Sequence, residues 1–444
     1  MFTSVPIYRF FQFKNPSPLL FVLLAMLLQG CQMLPFSEPE HFLVTTSKSE
    51  FVESHVFPIA GDQKVVGALA SVDSREGDTL SDLARHFGLG FTDITLANPQ
   101  LDPWVLSDSQ DVLLPLQFIL PDVAHKGIVL NLATMRLFYY PKNQNSVQTY
   151  PVGIGRDGWH TPLGATKIVA KRVKPAWTVP ASILREHQKL GEPLPKVVPA
   201  GPDNPLGEYA MPLGFTGYLI HGTNKPYGIG MQVSHGCVQM YPEDVEGLFK
   251  QVGVGTPVRI VHQPYLAEWD GNMLYLEAHQ PLSKWANQDK KLKKAVRQKL
   301  DALATERGAV IDWQRVDAVL HRSDGIPTPV LQGSADVFQL SADAMKVMRP
   351  ERLYGQPAVG ELTEHDWAIS MPGVTDEVEA TKLAAMLNHL GPQIPARKIE
   401  KEGVYQVVAG PFKNRKETTK VAKRIKSSFD LEVKTVKPGS MVKE

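Results

Sequence analysis

The sequence predicts a multidomain chain. A central fold of mixed, mostly β structure is flanked by a small β-α-α-β unit and by a β-α-β-β-α-β unit. Three observations carry this. The 444 residues, with 35 prolines and 34 glycines, suit several compact modules joined by linkers. Residues 126–262 are rich in short β-branched and aromatic runs broken by turn residues. Residues 366–437 run twice through strand, helix and strand. Charge is nearly balanced, 47 Lys and Arg against 46 Asp and Glu, so the total gives no reason to expect a nucleic-acid partner.

At the N-terminus, Arg9 and Lys14 precede an apolar run from Leu19 to Leu28. A run of about ten residues is too short to span a bilayer and has the length of a signal-peptide core. Leu28-Gln29-Gly30-Cys31 resembles a bacterial lipobox. The resemblance implies that residues 1–30 are removed and that Cys31 is lipidated. Gln32, where Asp would retain a lipoprotein at the inner membrane, implies an outer-membrane anchor facing the periplasm. An ordinary signal peptide and an uncleaved anchor fit the same run, and all three readings export the chain. Residues 31–66 lack periodicity and read as a tether.

Residues 67–120 form the first unit. Gly77-Asp78-Thr79-Leu80 reads as a turn into a helix, with Asp78 or Thr79 as N-cap. Leu80, Leu83, Ala84 and Phe87 recur on one helical face, and Gly88 stops the helix. A second helix from Thr92 to Ala97 ends at Asn98-Pro99, and Val112-Leu113-Leu114 is a strand. With Gly-Asp-Thr-Leu and Ala97-Asn98-Pro99 in place, this order resembles the LysM module. That implies binding to glycans containing N-acetylglucosamine, or, in a divergent copy, a spacer.

In residues 126–262 the expected strands are 127–132, 136–140, 147–153, 164–170, 218–220 and 256–261. A helix from Ala181 to Leu190 follows Trp177, and a second runs from Pro242 to Val252 with Pro242, Glu243 and Asp244 in its first turn. Residues 263–360 read as a helical extension and linker. Leu282 to Arg307 should be one long charged helix, and the chain after Pro329 a linker. The lysines at 290, 291, 293 and 294 read as a solvated face, with contact to anionic wall polymers as the alternative. Residues 361–437 carry the repeat: strands at 367–372, 396–399, 405–412 and 431–434, helices at 377–390 and 416–427. Together with Gly410-Pro411-Phe412 this resembles the SPOR domain. The resemblance implies binding to peptidoglycan strands and a four-stranded sheet with two helices on one face.

The chemistry concentrates between residues 220 and 240. Cys237 follows Ser234-His235-Gly236, and His221-Gly222 lies sixteen residues before it. A thiolate is the attacking species, so a nucleophilic cysteine needs a base or a cation beside it. Glycines let backbone N–H groups approach a reacting carbonyl. A lone cysteine is more often a small buried hydrophobe. An unpaired thiol in an exported protein needs a reason, and catalysis supplies one. No His-x-x-x-His or Cys-x-x-Cys spacing suggests a metal, and no cofactor is expected.

His221-Gly222 followed by Ser234-His235-Gly236-Cys237 resembles the signature of the YkuD-like L,D-transpeptidases of bacterial cell walls. So do Gly153-Ile154-Gly155-Arg156, Thr161-Pro162-Leu163-Gly164 and the run from Gly201 to Gly207. The resemblance implies a mixed, mostly β L,D-transpeptidase catalytic fold over 126–262. It implies Cys237 as nucleophile, His221 as proton acceptor and donor, and the Gly222 carbonyl orienting His221. The amides of Gly236 and Cys237 would form an oxyanion hole, with His235 shaping the pocket and polarising the thiol, or holding the loop. Gln239, Ser234 and Trp177 are the candidate substrate contacts. Gln239 stands where the family usually has Arg or Asn and carries no charge. The implied partners are the tetrapeptide stems and glycan strands of peptidoglycan, and an outer-membrane lipoprotein as one acyl acceptor. The contrasting reading is an inactive or hydrolytic protein tethering the envelope to the wall. Flanking glycan-binding modules would concentrate either on the wall by multivalency.

Overall fold

A computed structural model describes residues 55–440 apart from 62, 190–192 and 402. The expected signal peptide, Cys31 and Leu190 lie outside the described residues.

The tether expected over 31–66 contains two strands, β1 (His55–Pro58) and β2 (Val65–Gly67). The first unit then runs β3 (Ala70–Asp73), α1 (Leu80–His86), α2 (Phe91–Ala97), β4 (Asp111–Leu114) and β5 (Gln117–Ile119). β3 pairs antiparallel with β4, and β2 with β5. Thr79 is the N-cap of α1: its hydroxyl accepts from the Asp82 amide at 3.0 Å, while the Asp82 carboxylate accepts from the Thr79 amide at 3.2 Å. Leu80, Leu83, Ala84 and Phe87 are buried, as their spacing predicts. The Asn98 side chain donates to the carbonyls of Ile94 and Leu113 and accepts from the Leu113 amide, each at 2.8 Å, so it stitches α2 to β4.

The central fold begins with β6 (Gly127–Asn131), β7 (Arg136–Tyr140), β8 (Ser146–Pro151), β9 (Ile154–Gly155), β10 (Gly164–Lys167), β11 (Arg172–Val173) and β12 (Trp177–Thr178). It continues with α3 (Ala181–Lys189), β13 (Val197–Val198), β14 (Tyr209–Pro212), β15 (Leu219–His221), β16 (Gln232–Ser234), β17 (Val238–Gln239), α4 (Pro242–Gln251) and β18 (Pro257–Val261). One sheet has the order β1-β8-β7-β6-β18-β10, so the supposed tether supplies its edge strand. A second has the order β11-β14-β15-β17, with β15 and β17 parallel. Ile128, Leu130, Ile220, Val238, Val245 and Leu248 share one core that joins both sheets to α4. Fully burying each such Val, Leu or Ile contributes about 1.5–3 kcal/mol.

Residues 263–360 differ from expectation. Tyr265–Asp270 (β19) and Met273–Ala278 (β20) form a hairpin, joined by Thr328–Pro329 (β21). Their Leu274 and Leu276 pack with Val296 and Leu300 of α5 (Asp289–Arg307) and with Val316 and Val319 of α6 (Trp313–Arg322). This is a packed α/β unit with its own core. The long helix starts as a 3-10 segment over Ser283–Gln288 and becomes α-helical only at Asp289. The expected linker after Pro329 carries α7 (Val337–Ala342) and β22 (Met345–Lys346), which pairs parallel with β3. Just beyond, Arg349 Nε donates to Asp78 Oδ2 at 2.7 Å. The strand period of 263–278 and the Asp270-Gly271 turn were legible, but the charged helix after them dominates the reading.

The C-terminal unit runs β23 (Trp367–Met371), α8 (Glu377–His389), β24 (Ala396–Lys401), β25 (Val404–Phe412), α9 (Arg415–Phe429) and β26 (Lys434–Val436). Its antiparallel sheet has the order β24-β25-β23-β26, and Ile369, Met371, Val407 and Ala409 meet Leu383, Leu387 and Ile425 of the helices in one core. The last strand lies three residues beyond the expected 431–434, because α9 extends to Phe429. α8 docks on the first unit: His389 Nε2 lies 2.9 Å from Asp82 Oδ1, and Lys382 pairs with Asp102 at 3.0 Å.

Candidate active site

Parallel pairing of β15 with β17 builds the site. Ile220 lies opposite Val238, and His221 opposite Gln239. Ile220 and Val238 point into the core, so strand alternation puts His221, Gln239 and the preceding Cys237 on the other face.

His221 is 3% exposed. Its Nδ1 lies 2.6 Å from the Gly222 carbonyl, which fixes the proton on Nδ1 and leaves Nε2 as the acceptor. Burial lowers its pKa to about 4, against a weaker opposing effect of the Gly222 and Leu206 backbone. Cys237 is half-buried, and burial pushes its thiol up to about 11. Sγ lies 3.7 Å from the Gly217 carbonyl. Among the described residues no hydrogen bond joins Sγ to an imidazole nitrogen. The thiol and the imidazole lie on one face, and burial disfavours the charged form of each.

The turn that carries Cys237 is braced from inside. The Ser234 hydroxyl donates to the Cys237 carbonyl at 2.5 Å and accepts from the Gly236 amide at 3.1 Å. The Thr161 hydroxyl donates to the Gly236 carbonyl at 2.8 Å, and the Arg156 amide donates to the Ser234 carbonyl at 2.9 Å. Gly236 has φ +102°, and a Cβ there would lie 2.9 Å from the Tyr218 ring. A Cβ on Gly155 would lie 2.0 Å from the Trp159 carbonyl. These two positions require glycine for different reasons, one conformational and one steric.

Two expectations change here. Ser234 is 4% exposed and its hydroxyl is committed to the turn that carries Cys237, so it is not free to contact a substrate. The Gly236 amide, expected in an oxyanion hole with that of Cys237, donates to Ser234.

For His235 the sequence left two roles open, polarising the thiol or holding the loop. Its Nε2 lies 2.7 Å from Glu186 Oε2 on α3 and 3.0 Å from Arg156 Nη2. Arg156 also pairs with Glu186. Trp159 stands edge-on to the His235 ring, with centroids 4.8 Å apart. The ring is held against a carboxylate, and among the described residues no hydrogen bond joins it to the Cys237 thiol. Sequence reasoning missed Glu186: it sits 49 residues from His235, and no local spacing marks the pairing. Arg156 was visible only as part of a motif.

Trp177 is half-buried on the ribbon of β12 and β13, paired with Val198. Gln239 is half-buried; its backbone exchanges hydrogen bonds with Gly153 at 2.8 and 2.9 Å, so its side chain is held beside His221. Among the described residues no three His, Cys, Asp or Glu side chains gather as metal ligands.

The catalytic-domain model of the YkuD-type L,D-transpeptidases matches residues 125–260, and the SPOR domain model matches residues 364–432. The chain is 38% identical over 304 residues to the probable L,D-transpeptidase ErfK/SrfK of Escherichia coli K12, covering 67% of this chain and 96% of that protein. It is 44% identical over 233 residues to the probable L,D-transpeptidase YbiS of the same strain, covering 51% of this chain and 76% of that protein. The corresponding figures for the probable L,D-transpeptidase YcfS are 42% over 240 residues, 53% and 75%. With the two strands that bring a cysteine and a carbonyl-oriented histidine to one face, these likenesses place the chain in the L,D-transpeptidase family, with a SPOR domain toward its C-terminus.

Proposed function

We propose that the chain is a peptidoglycan L,D-transpeptidase with Cys237 as nucleophile and His221 as its base. One observation carries this reading most directly: the Gly222 carbonyl at 2.6 Å from Nδ1 leaves Nε2 of a neutral imidazole as acceptor on the face that carries the thiol. Burial keeps this imidazole neutral at neutral pH, which leaves Nε2 free to accept the thiol proton as attack proceeds. Sγ attacks the carbonyl of the third stem residue, meso-diaminopimelate, and His221 hands the proton to the departing D-alanine amine. The thioester is then resolved by an amine. A second diaminopimelate gives a 3→3 cross-link, and a lipoprotein lysine gives a wall-anchored protein. The oxyanion meets the Cys237 amide and competes with Ser234 for that of Gly236. Gln239, without charge, donates hydrogen bonds to the stem.

In this reading the protein works in the periplasm, held at the outer membrane by lipidated Cys31, and its SPOR domain engages glycan strands. The first unit serves as a brace. Asp78, Thr79 and Asn98, which carry its likeness to LysM, are engaged inside the protein by Arg349, Asp82 and Leu113. Incubating a tetrapeptide muropeptide with the soluble protein from residue 32 onward, beside Cys237→Ala, tests the proposal by mass spectrometry. Diaminopimelate-linked dimers absent from the variant support it. No change in the muropeptide defeats it in favour of a tether.

A further inference from the structure

We propose that Glu186 is a positioning residue for the transfer reaction: its carboxylate holds His235 and Arg156 together and so clamps helix α3 onto the loop that carries Cys237. α3 spans nine residues, and its buried side chain is Ile183. Glu186 follows three residues later, on the same face of the helix. One buried apolar side chain and one carboxylate thus fix this helix to the site. One oxygen of that carboxylate lies 2.7 Å from His235 Nε2, and the other meets Arg156. Both partners belong to the nucleophile's surroundings. His235 stands two residues before Cys237, and the Arg156 amide donates to the Ser234 carbonyl.

Nε2 of the ring faces two charged groups: the Glu186 carboxylate, which favours a proton there, and the Arg156 guanidinium, which can only donate and disfavours one. The groups that face His235 are Glu186 and His187 from α3, and Arg156 and Trp159 from the loop after β9. Desolvation lowers its pKa, the Glu186 hydrogen bond raises it, and Arg156 and His187 lower it. The two partners therefore pull the ring in opposite directions, and their removal has opposite signs. Glu186→Gln removes the raising influence, so His235 titrates at lower pH. Arg156→Gln removes a lowering one, so His235 titrates at higher pH.

The inference rests on the transferase reading. Its test is chosen to stand apart from it, because the titration needs no turnover. NMR titration of His235 in the soluble protein from residue 32 onward should show a downward shift in Glu186→Gln and an upward shift in Arg156→Gln. Glu186→Asp, which keeps the charge, should fall between Glu186→Gln and the unaltered protein. Turnover of the tetrapeptide by Glu186→Gln should fall about tenfold or more in kcat at nearly constant KM, as misplacement of reacting groups produces. Thermal unfolding should stay within a few degrees, because Glu186 is partly exposed. Unchanged His235 titration in both variants, or shifts of the same sign, would overturn the clamp. A kcat within twofold of the unaltered protein, with the titration shifted as expected, would overturn its role in transfer. An unaltered protein that titrates as expected but turns over no muropeptide would sink the reaction and leave the clamp standing.

Discussion

His221 and His235 flank the same thiol and are held by opposite means. His221 is sealed from water, and its burial outweighs the Gly222 and Leu206 backbone groups that favour its charged form. His235 is half-exposed and sits between a carboxylate and a guanidinium. Burial without a charged partner keeps an imidazole neutral, as a base awaiting a proton must be. A charged cage fixes an imidazole in place, as a loop anchor must be. In the sequence each of the two residues stands next to a glycine, and only the tertiary structure shows how different their surroundings are.

Removing the rings separately sharpens this contrast most. His221→Ala should lower both transpeptidation and the alkylation of Cys237 by about 10²–10⁴-fold at neutral pH, the usual worth of a positioned base. His235→Ala should leave alkylation within a few fold, because its ring nitrogen is held by Glu186 and Arg156. Equal losses of alkylation in the two variants would break the distinction.

The next effect is on stability. Folding lowers the pKa of His221 from 6.5 to about 4, so the folded state binds fewer protons between those values. The stability linked to its neutral form is complete above about pH 6.5 and is lost as pH falls toward 4. Full protonation would cost about 3 kcal/mol. Urea unfolding from pH 7.5 down to 4.5 should show this loss in the unaltered protein. His221→Gln should lose less over the same interval. The variant is the needed control, since His86 and His262 are pushed down to about 4 as well. Parallel curves would mean that His221 is not buried neutral.

Gln239 gives the smallest effect. It lies opposite His221 in the parallel register but outside the proton path. Gln239→Ala should raise KM for the tetrapeptide up to about tenfold, the worth of one or two hydrogen bonds, and leave alkylation of Cys237 unchanged. A fall in alkylation would draw Gln239 into thiol activation and blur the boundary between the two histidines.

Much of this was legible in the chain. The helix start at Asp78 or Thr79, the apolar face from Leu80 to Phe87 and the repeated strand-helix-strand order near the C-terminus are local signals, and each forms as read, with Thr79 as the cap. Cys237, His221 and Gly222 were legible for the same reason, since a strand ending at His221 and a glycine turn before Cys237 are written in adjacent residues. What escaped depends on distant partners. β1 is a strand because β8 pairs with it, and residues 345–349 are ordered because β3 and Asp78 receive them. Ser234 looked like a substrate contact because its hydroxyl is polar and near the thiol. Only the fold shows that the Cys237 carbonyl takes it. Glu186 had no signal at all, because a salt bridge between residues 186 and 235 is decided by where α3 lands.

The most direct test of the central claim is the intact mass of the protein mixed with a tetrapeptide muropeptide and quenched in acid within seconds. The account predicts an adduct equal to the muropeptide less one alanine residue and the elements lost with it. The adduct should map to Cys237, be absent in Cys237→Ala, and form far more slowly in His221→Ala than in His235→Ala. An adduct elsewhere, or equal rates in the two histidine variants, would contradict it.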